Sequence, residues 1–125
     1  MKRWIGRWIV AVGIIHVGVG LVVFGGPLLA IVRDGVWNAV DGHAGRPLAF
    51  WFVFLGLFTI VFGSLVDWIE GRGIPTPNHV GWAFFVLVLL GIVTMPIGGG
   101  WLLLPPGIGA LVRSRRARSS AAVAV

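Results

Sequence analysis

The chain has no cysteine, one lysine and four acidic residues among its 125 positions, and charged side chains make up only 11% of it. Each shortage removes a class of chemistry. Without cysteine there is no disulfide, no thiolate nucleophile and no cysteinyl metal or iron–sulfur site. The sole lysine, Lys2, stands at the N-terminus, where it cannot form a retinal Schiff base inside a bundle. No Walker loop, Gly-x-Ser-x-Gly, His-Glu-x-x-His or Gly-x-Gly-x-x-Gly occurs in the sequence. Soluble domains carry about 25% charged residues, and so short a chain cannot hide 58% hydrophobic residues in a core of its own. The composition fits lipid as the solvent. It excludes a soluble enzyme, a disordered chain and a disulfide-stapled module.

What is present is apolar and punctuated. A transmembrane helix takes about 20 apolar residues, so four spans would use roughly 80 positions and leave short loops and two tails. The runs predict spans over about 4–24, 47–68, 78–95 and 97–112. The first ends at Gly25-Gly26-Pro27 and the second closes at Asp67, Glu70 and Gly71. The third starts near Asn78, read as an N-cap, after the breaker Pro75-Thr76-Pro77. A signal peptide is the alternative for the first run, but it exceeds a normal apolar core and no small-x-small cleavage site follows. The fourth run, Trp101 to Val112, reaches only about 18 Å at 1.5 Å per residue. A full but kinked span is favoured, with Pro96 to Gly100 also inside the membrane. The expected fold class is therefore all-α, a four-helix membrane bundle over 1–112, with a basic tail over 113–125 expected to be disordered.

Charge sets the direction. Lys2, Arg3, Arg7, Arg72, Arg113, Arg115, Arg116 and Arg118 fall on one side of that scheme, eight basic residues against Arg33 and Arg46 on the other. The positive-inside rule then places both termini in the cytoplasm of a bacterial inner membrane. Trp4, Trp8, Trp68 and Trp82 fall at the inner interface, and Trp37, Trp51 and Trp101 at the outer one. Leu28, Leu29, Ile31, Val32, Val36, Trp37 and Val40 recur at helical spacing in the first loop and predict a short amphipathic helix on the outer surface. The tail Arg113-Ser114-Arg115-Arg116-Ala117-Arg118 suits anionic lipid, at about 1 kcal/mol per basic residue. The basic residues lie at the chain ends rather than along a folded face, so the membrane surface, not nucleic acid, is the expected partner.

Two patterns mark packing and polar sites. Gly6, Gly13 and Gly20 stand seven apart, as do Ala49, Gly56 and Gly63, so each set forms a narrow groove where another backbone can come close. A wider pattern repeats as Gly13, His16, Gly20, then Gly56, Thr59, Gly63, then Gly91, Thr94, Gly98; coincidence in a glycine-rich chain is favoured over duplication. His16 is the one ionisable side chain well inside a span, and intramembrane ionisable groups are functional-site candidates by default. His16, Thr59 and Thr94 are the candidate ligand-binding residues. Arg7, Asp67, Glu70 and Arg72 form a candidate polar cluster on the cytoplasmic face, with anchoring favoured over acid–base chemistry. His43 is expected outside and His79 inside, so no second imidazole reaches His16, and neither a metal nor a cofactor is implied.

These segments, from Trp4-Ile5-Gly6-Arg7-Trp8 through Leu65-Val66-Asp67-Trp68 to Met95-Pro96-Ile97 and Leu104-Pro105-Pro106, resemble a group of small bacterial four-span membrane proteins classed as a domain of unknown function. The resemblance implies the fold and carries no activity or catalytic residue. The leading functional reading is binding of a lipid-like or apolar small molecule between the helices. A small oligomeric transporter, a membrane-embedded isomerase and a structural subunit of a larger complex stand as alternatives.

Overall fold

The computed structural model describes residues 3–74 and 76–123, and it is all-α, with no strand among the described residues. Lys2 of the basic count, Pro75 of the breaker and residues 124–125 of the tail lie outside the described residues. Helix α1 spans Ile5–Val23, α2 Gly25–Arg33, α3 Arg46–Gly71, α4 Asn78–Thr94 and α5 Leu104–Val123, with a 3₁₀ turn over Gly99–Leu103 leading into α5. Two of these, α1 with 19 residues and α3 with 26, are long and apolar enough to cross a membrane.

The two long helices pack antiparallel along the glycine faces. A Cβ added at Gly6 would lie 2.5 Å from the Asp67 Cα, at Gly63 2.7 Å from the Val10 nitrogen, and at Gly13 2.7 Å from the Ile60 Cγ1. At Gly56 it would meet Val17 Cγ2 at 2.7 Å, and at Gly20 Val53 Cγ2 at 2.9 Å. One helix thus counts up as the other counts down, and glycines from the two sides alternate turn by turn. All five approaches are closer than a real Cβ tolerates, and at Gly6 and Gly63 the atom met is backbone. Ala49, the first member of the α3 series, is fully buried. In lipid, where the tails are as apolar as leucine, such close van der Waals approach is what holds two helices together.

The third copy of the wider pattern does something else. Gly91 has open space where a Cβ would stand, so it marks no packing face. Helix α4 pairs mainly with α5: a Cβ at Gly81 would lie 2.7 Å from the buried Ser114 Oγ, and one at Gly107 3.7 Å from Phe85. The two pairs meet through Phe62 and Phe84, whose rings are 5.4 Å apart, and through Trp8, whose Nε1–H donates to the Leu102 carbonyl at 2.7 Å.

Helix ends follow the local chemistry. Gly35 (φ 87°) ends α2 and Gly73 (φ 66°) ends α3, each in the left-handed region that glycine enters without strain. In both, the next residue's N–H reaches five residues back, Val36 to Ile31 at 3.1 Å and Ile74 to Ile69 at 3.2 Å, the bond of a Schellman cap.

Three boundaries differ from those read off the sequence. The helix expected in the first loop exists as α2, but it stops at Arg33. Gly25-Gly26-Pro27 breaks α1 and then opens α2, because a proline in a first turn loses no helical hydrogen bond. Val36, Trp37 and Val40 therefore lie in turns, which Arg46 ties together by pairing with Asp34 at 2.7 Å and donating to the Ala39 carbonyl at 2.7 Å. The segment read as a disordered basic tail continues α5 to Val123. Pro77, not Asn78, occupies the cap position of α4.

Candidate functional site

The residues singled out by sequence fall in two places. His16 faces α3, where its ring stacks on Phe52 at 4.0 Å with the planes 12° apart. Its Nε2 lies 3.1 Å from the Phe52 carbonyl oxygen, which accepts the proton that Nε2 carries. The Gly56 position is tight against it, a Cβ there meeting His16 Cδ2 at 3.0 Å. Thr59 and Thr94 donate to carbonyls of their own helices, Leu55 and Leu90, each at 2.8 Å. A hydroxyl bonded to the preceding turn is already satisfied and has no need of a partner helix. Thr94 lies on α4, which packs on α5, so it does not share the His16 seam.

The polar cluster at the other end is brought together, and it is larger than the sequence indicated. Asp67 pairs with Arg3 at 2.7 Å through Oδ2 and stands 3.4 Å from Arg7 Nε through Oδ1. Glu70, with 3% of its side chain exposed, pairs with Arg113 of α5 through Oε1 and accepts the Gly6 N–H at 2.9 Å through Oε2. Gly6 is the second residue of α1, and its N–H is one of the four that a helix start leaves without an internal acceptor. Trp4, in the cap position, makes no side-chain capping bond. The Glu70 carboxylate therefore caps α1 from another helix, with its charge at the favourable end of the helix dipole. Arg72 lies apart from these carboxylates and covers the Trp68 ring at 3.8 Å, while Arg115 covers Trp82 at 4.9 Å. Guanidinium groups thus cover both indoles at this end.

The sequence marks Arg3 as a topology signal and Arg113 as that and as part of a lipid-attracted tail, neither as a partner of a carboxylate. The 64 residues between Arg3 and Asp67 and the 43 between Glu70 and Arg113 hide both pairings from any local pattern. The one available signal was arithmetic: four acidic residues against ten basic ones means that each carboxylate has a cation to find.

Beside this cluster a groove of about 320 Å³ runs along the α1–α3 seam, lined by Arg7, Val10, Ser64 and Asp67. Its two walls are chemically unlike. Arg7 is two-thirds exposed at the rim, whereas Asp67 Oδ1 is shielded from solvent and receives no hydrogen bond. Ser64 donates to the Ile60 carbonyl at 2.8 Å, which leaves its oxygen as an acceptor. No curated protein and no solved structure matches this chain. The model of a family described as "Family of unknown function (DUF6463)" matches residues 1–117, nearly all of the bundle and its basic end, and the chain belongs to that family.

Proposed function

We propose that the protein is a four-span membrane protein with both termini on the cytoplasmic side, and that it binds a lipid-like molecule in the groove between α1 and α3. The observation that carries this reading is the groove itself, where a charged rim at Arg7 and Asp67 adjoins the apolar wall at Val10. One turn deeper, Ile14 and Val61 are 57% and 67% exposed, so an acyl chain entering past Val10 would run on over apolar surface. Such a molecule would lie with its polar end at the interface, where Trp68 and Trp82 stand beneath their arginines. The His16, Thr59 and Thr94 contacts favoured by sequence give way here to Arg7, Ser64 and Asp67, because the latter line the groove and the former do not.

The span count rests on matched lengths. Helix α4, at 17 residues, is about 25 Å long, and the limb from Gly99 to Val112 reaches about 24 Å as a 3₁₀ turn followed by α-helix. Each falls a few ångströms short of a 30 Å hydrocarbon core, a mismatch that local thinning accommodates at modest cost. The absence of native cysteine allows a clean test. Single cysteines at Asp41, Thr76 and Ser119 should react with an impermeant maleimide in intact cells at position 41 alone, and at 76 and 119 only after permeabilisation. Labelling of 41 and 119 from the same side would overturn the topology.

Lipid binding is read directly by native mass spectrometry in mild detergent. The wild type should carry one stoichiometric lipid adduct. Ser64→Trp, which fills the groove from an exposed position, should remove it, and His16→Ala should keep it. A bare protein, or an adduct lost with His16 instead of Ser64, would defeat the groove as the binding site.

A further inference from the structure

Resting on the membrane reading and not on the groove, we propose that the basic end carries two sites for an anionic phospholipid, one at Arg72 over Trp68 and one at Arg115 over Trp82. At each, the guanidinium takes the lipid phosphate and the apolar surface below the indole takes the chains. The arginines of this end divide by partner. Arg3 and Arg7 stand at Asp67 and Arg113 pairs with Glu70, which engages both carboxylates there. Arg72 and Arg115 are exposed, and among the described residues neither meets a carboxylate. Each lies over an indole instead, with its guanidinium carbon 3.8 Å and 4.9 Å from the ring centre. A ring face attracts the charge without accepting the in-plane N–H bonds, so both arginines keep donors for another acceptor. Stacking also holds the planar fork in place, so less freedom is lost when that acceptor arrives.

The two platforms flank one ion pair. Trp68 stands two residues before Glu70, and Trp82 follows Gly81, which packs against Ser114, the neighbour of Arg113. Below each indole the same helix face is apolar and exposed, with Leu65 and Phe58 on α3 and Val86 and Val93 on α4, at helical spacings. A cation, an indole and then bare apolar surface is the order of a phosphate, a glycerol and acyl chains read inward from a membrane interface. Charge then selects among phospholipids. A guanidinium forks onto the phosphate oxygens of any of them. A choline lipid, however, brings its own cation beside the phosphate, to an end where arginines already outnumber carboxylates. A phosphate with no cation of its own is the better match. The basic run that starts at Arg113 thus attracts lipid less simply than its charge count suggests. Arg113 is turned inward to Glu70, with 16% of its side chain exposed, and the phosphate contact passes to Arg115 and to Arg72 on another helix.

The test adds phosphatidylglycerol and phosphatidylcholine of identical acyl chains together to the full-length protein in mild detergent and counts adducts by native mass spectrometry. Beyond the lipid carried in the groove, the wild type should take up two phosphatidylglycerol molecules in preference to phosphatidylcholine. Arg72→Gln and Arg115→Gln should each weaken one of the two about fivefold, the equivalent of about 1 kcal/mol per arginine near a lipid surface. The double variant should weaken both. Arg72→Lys and Arg115→Lys keep the charge but lose the fork and the stack, and should recover only part of that loss. Full recovery by lysine would show a diffuse surface field and overturn the two sites. Equal uptake of the two lipids by the wild type, or a preference that the glutamine variants leave unchanged, would overturn them as well. Glycerol phosphate that displaces the lipid at equal concentration would overturn the lipid as the source of the phosphate. Ser64→Trp separates the readings: it should leave both arginine-dependent adducts in place, and their survival beside loss of the groove lipid supports both sites and groove. Phosphatidylglycerol lost with Ser64→Trp and kept in the glutamine variants would overturn the arginine sites and leave the groove standing, and the cysteine labelling tests the membrane reading by itself.

Discussion

Gly6→Ala is expected to destabilise the protein by about 3 kcal/mol, at the upper end of what overpacking costs. The reason is the nature of the neighbour. The new methyl would stand 2.5 Å from the Asp67 Cα and 2.7 Å from its Cβ, so a rotamer change cannot relieve it and α3 itself must move. Moving α3 also stretches the bond from the Gly6 N–H to Glu70, now 2.9 Å, and exposes the start of α1. Gly18 on the same helix has open space in the Cβ direction, so Gly18→Ala should instead gain about 0.5 to 1 kcal/mol from helix propensity. Denaturant titration in mild detergent, followed by the emission of the seven tryptophans, measures both. A Gly6→Ala protein within 0.5 kcal/mol of wild type, or a Gly18→Ala protein destabilised as much as Gly6→Ala, would contradict the close α1–α3 seam.

That seam was legible in part. Seven-residue spacing of Gly6, Gly13 and Gly20 and of Ala49, Gly56 and Gly63 announces two small faces, because seven residues are nearly two turns. Spacing along one helix does not name the helix it meets. The partner emerges only when the antiparallel register sets Gly6 against Asp67 and Gly63 against Val10, so that each glycine receives the other helix. Gly91 shows the limit: it repeats the spacing and faces open space. Periodicity misled in the first loop, where Val36, Trp37 and Val40 continue the helical pattern of α2. A left-handed Gly35 ends the helix first, and local backbone geometry outranks the apolar pattern there. Val36 itself sits at φ 68°, a conformation that β-branched residues adopt only under strain.

The site was legible as a set of residue types and not as a set of partners. Asp67 and Glu70, three apart on α3, read as one acidic face, and the fold gives them different tasks. Asp67 stays at the groove with Arg3 and Arg7, and Glu70 turns into the junction of α1, α3 and α5. His16 carried the strongest prior for function because an ionisable group in a span is costly. Its stack on Phe52 and its bond to the Phe52 carbonyl give it a structural partner that no sequence pattern contains.

Arg113→Ala should be the most damaging single change at the charged end, costing about 4 kcal/mol, because it strands a buried carboxylate. Glu70 is 3% exposed and Arg113 16%, so neither water nor salt replaces the lost partner. Removing both charges is the informative comparison. In Glu70→Leu with Arg113→Leu no buried ion remains, and apolar side chains of similar bulk restore packing, which by itself is often neutral or stabilising. The Gly6 N–H, however, loses its acceptor, and an unsatisfied buried donor costs about 1 to 3 kcal/mol. The double variant should therefore be destabilised by about 2 kcal/mol, less than Arg113→Ala alone. The residual isolates the capping of α1 from the pairing of α3 with α5. If the double variant equals the sum of its single changes, the two groups do not interact and Glu70 is not the junction of the three helices. If it returns fully to wild-type stability, the pair is present but the Gly6 cap contributes nothing.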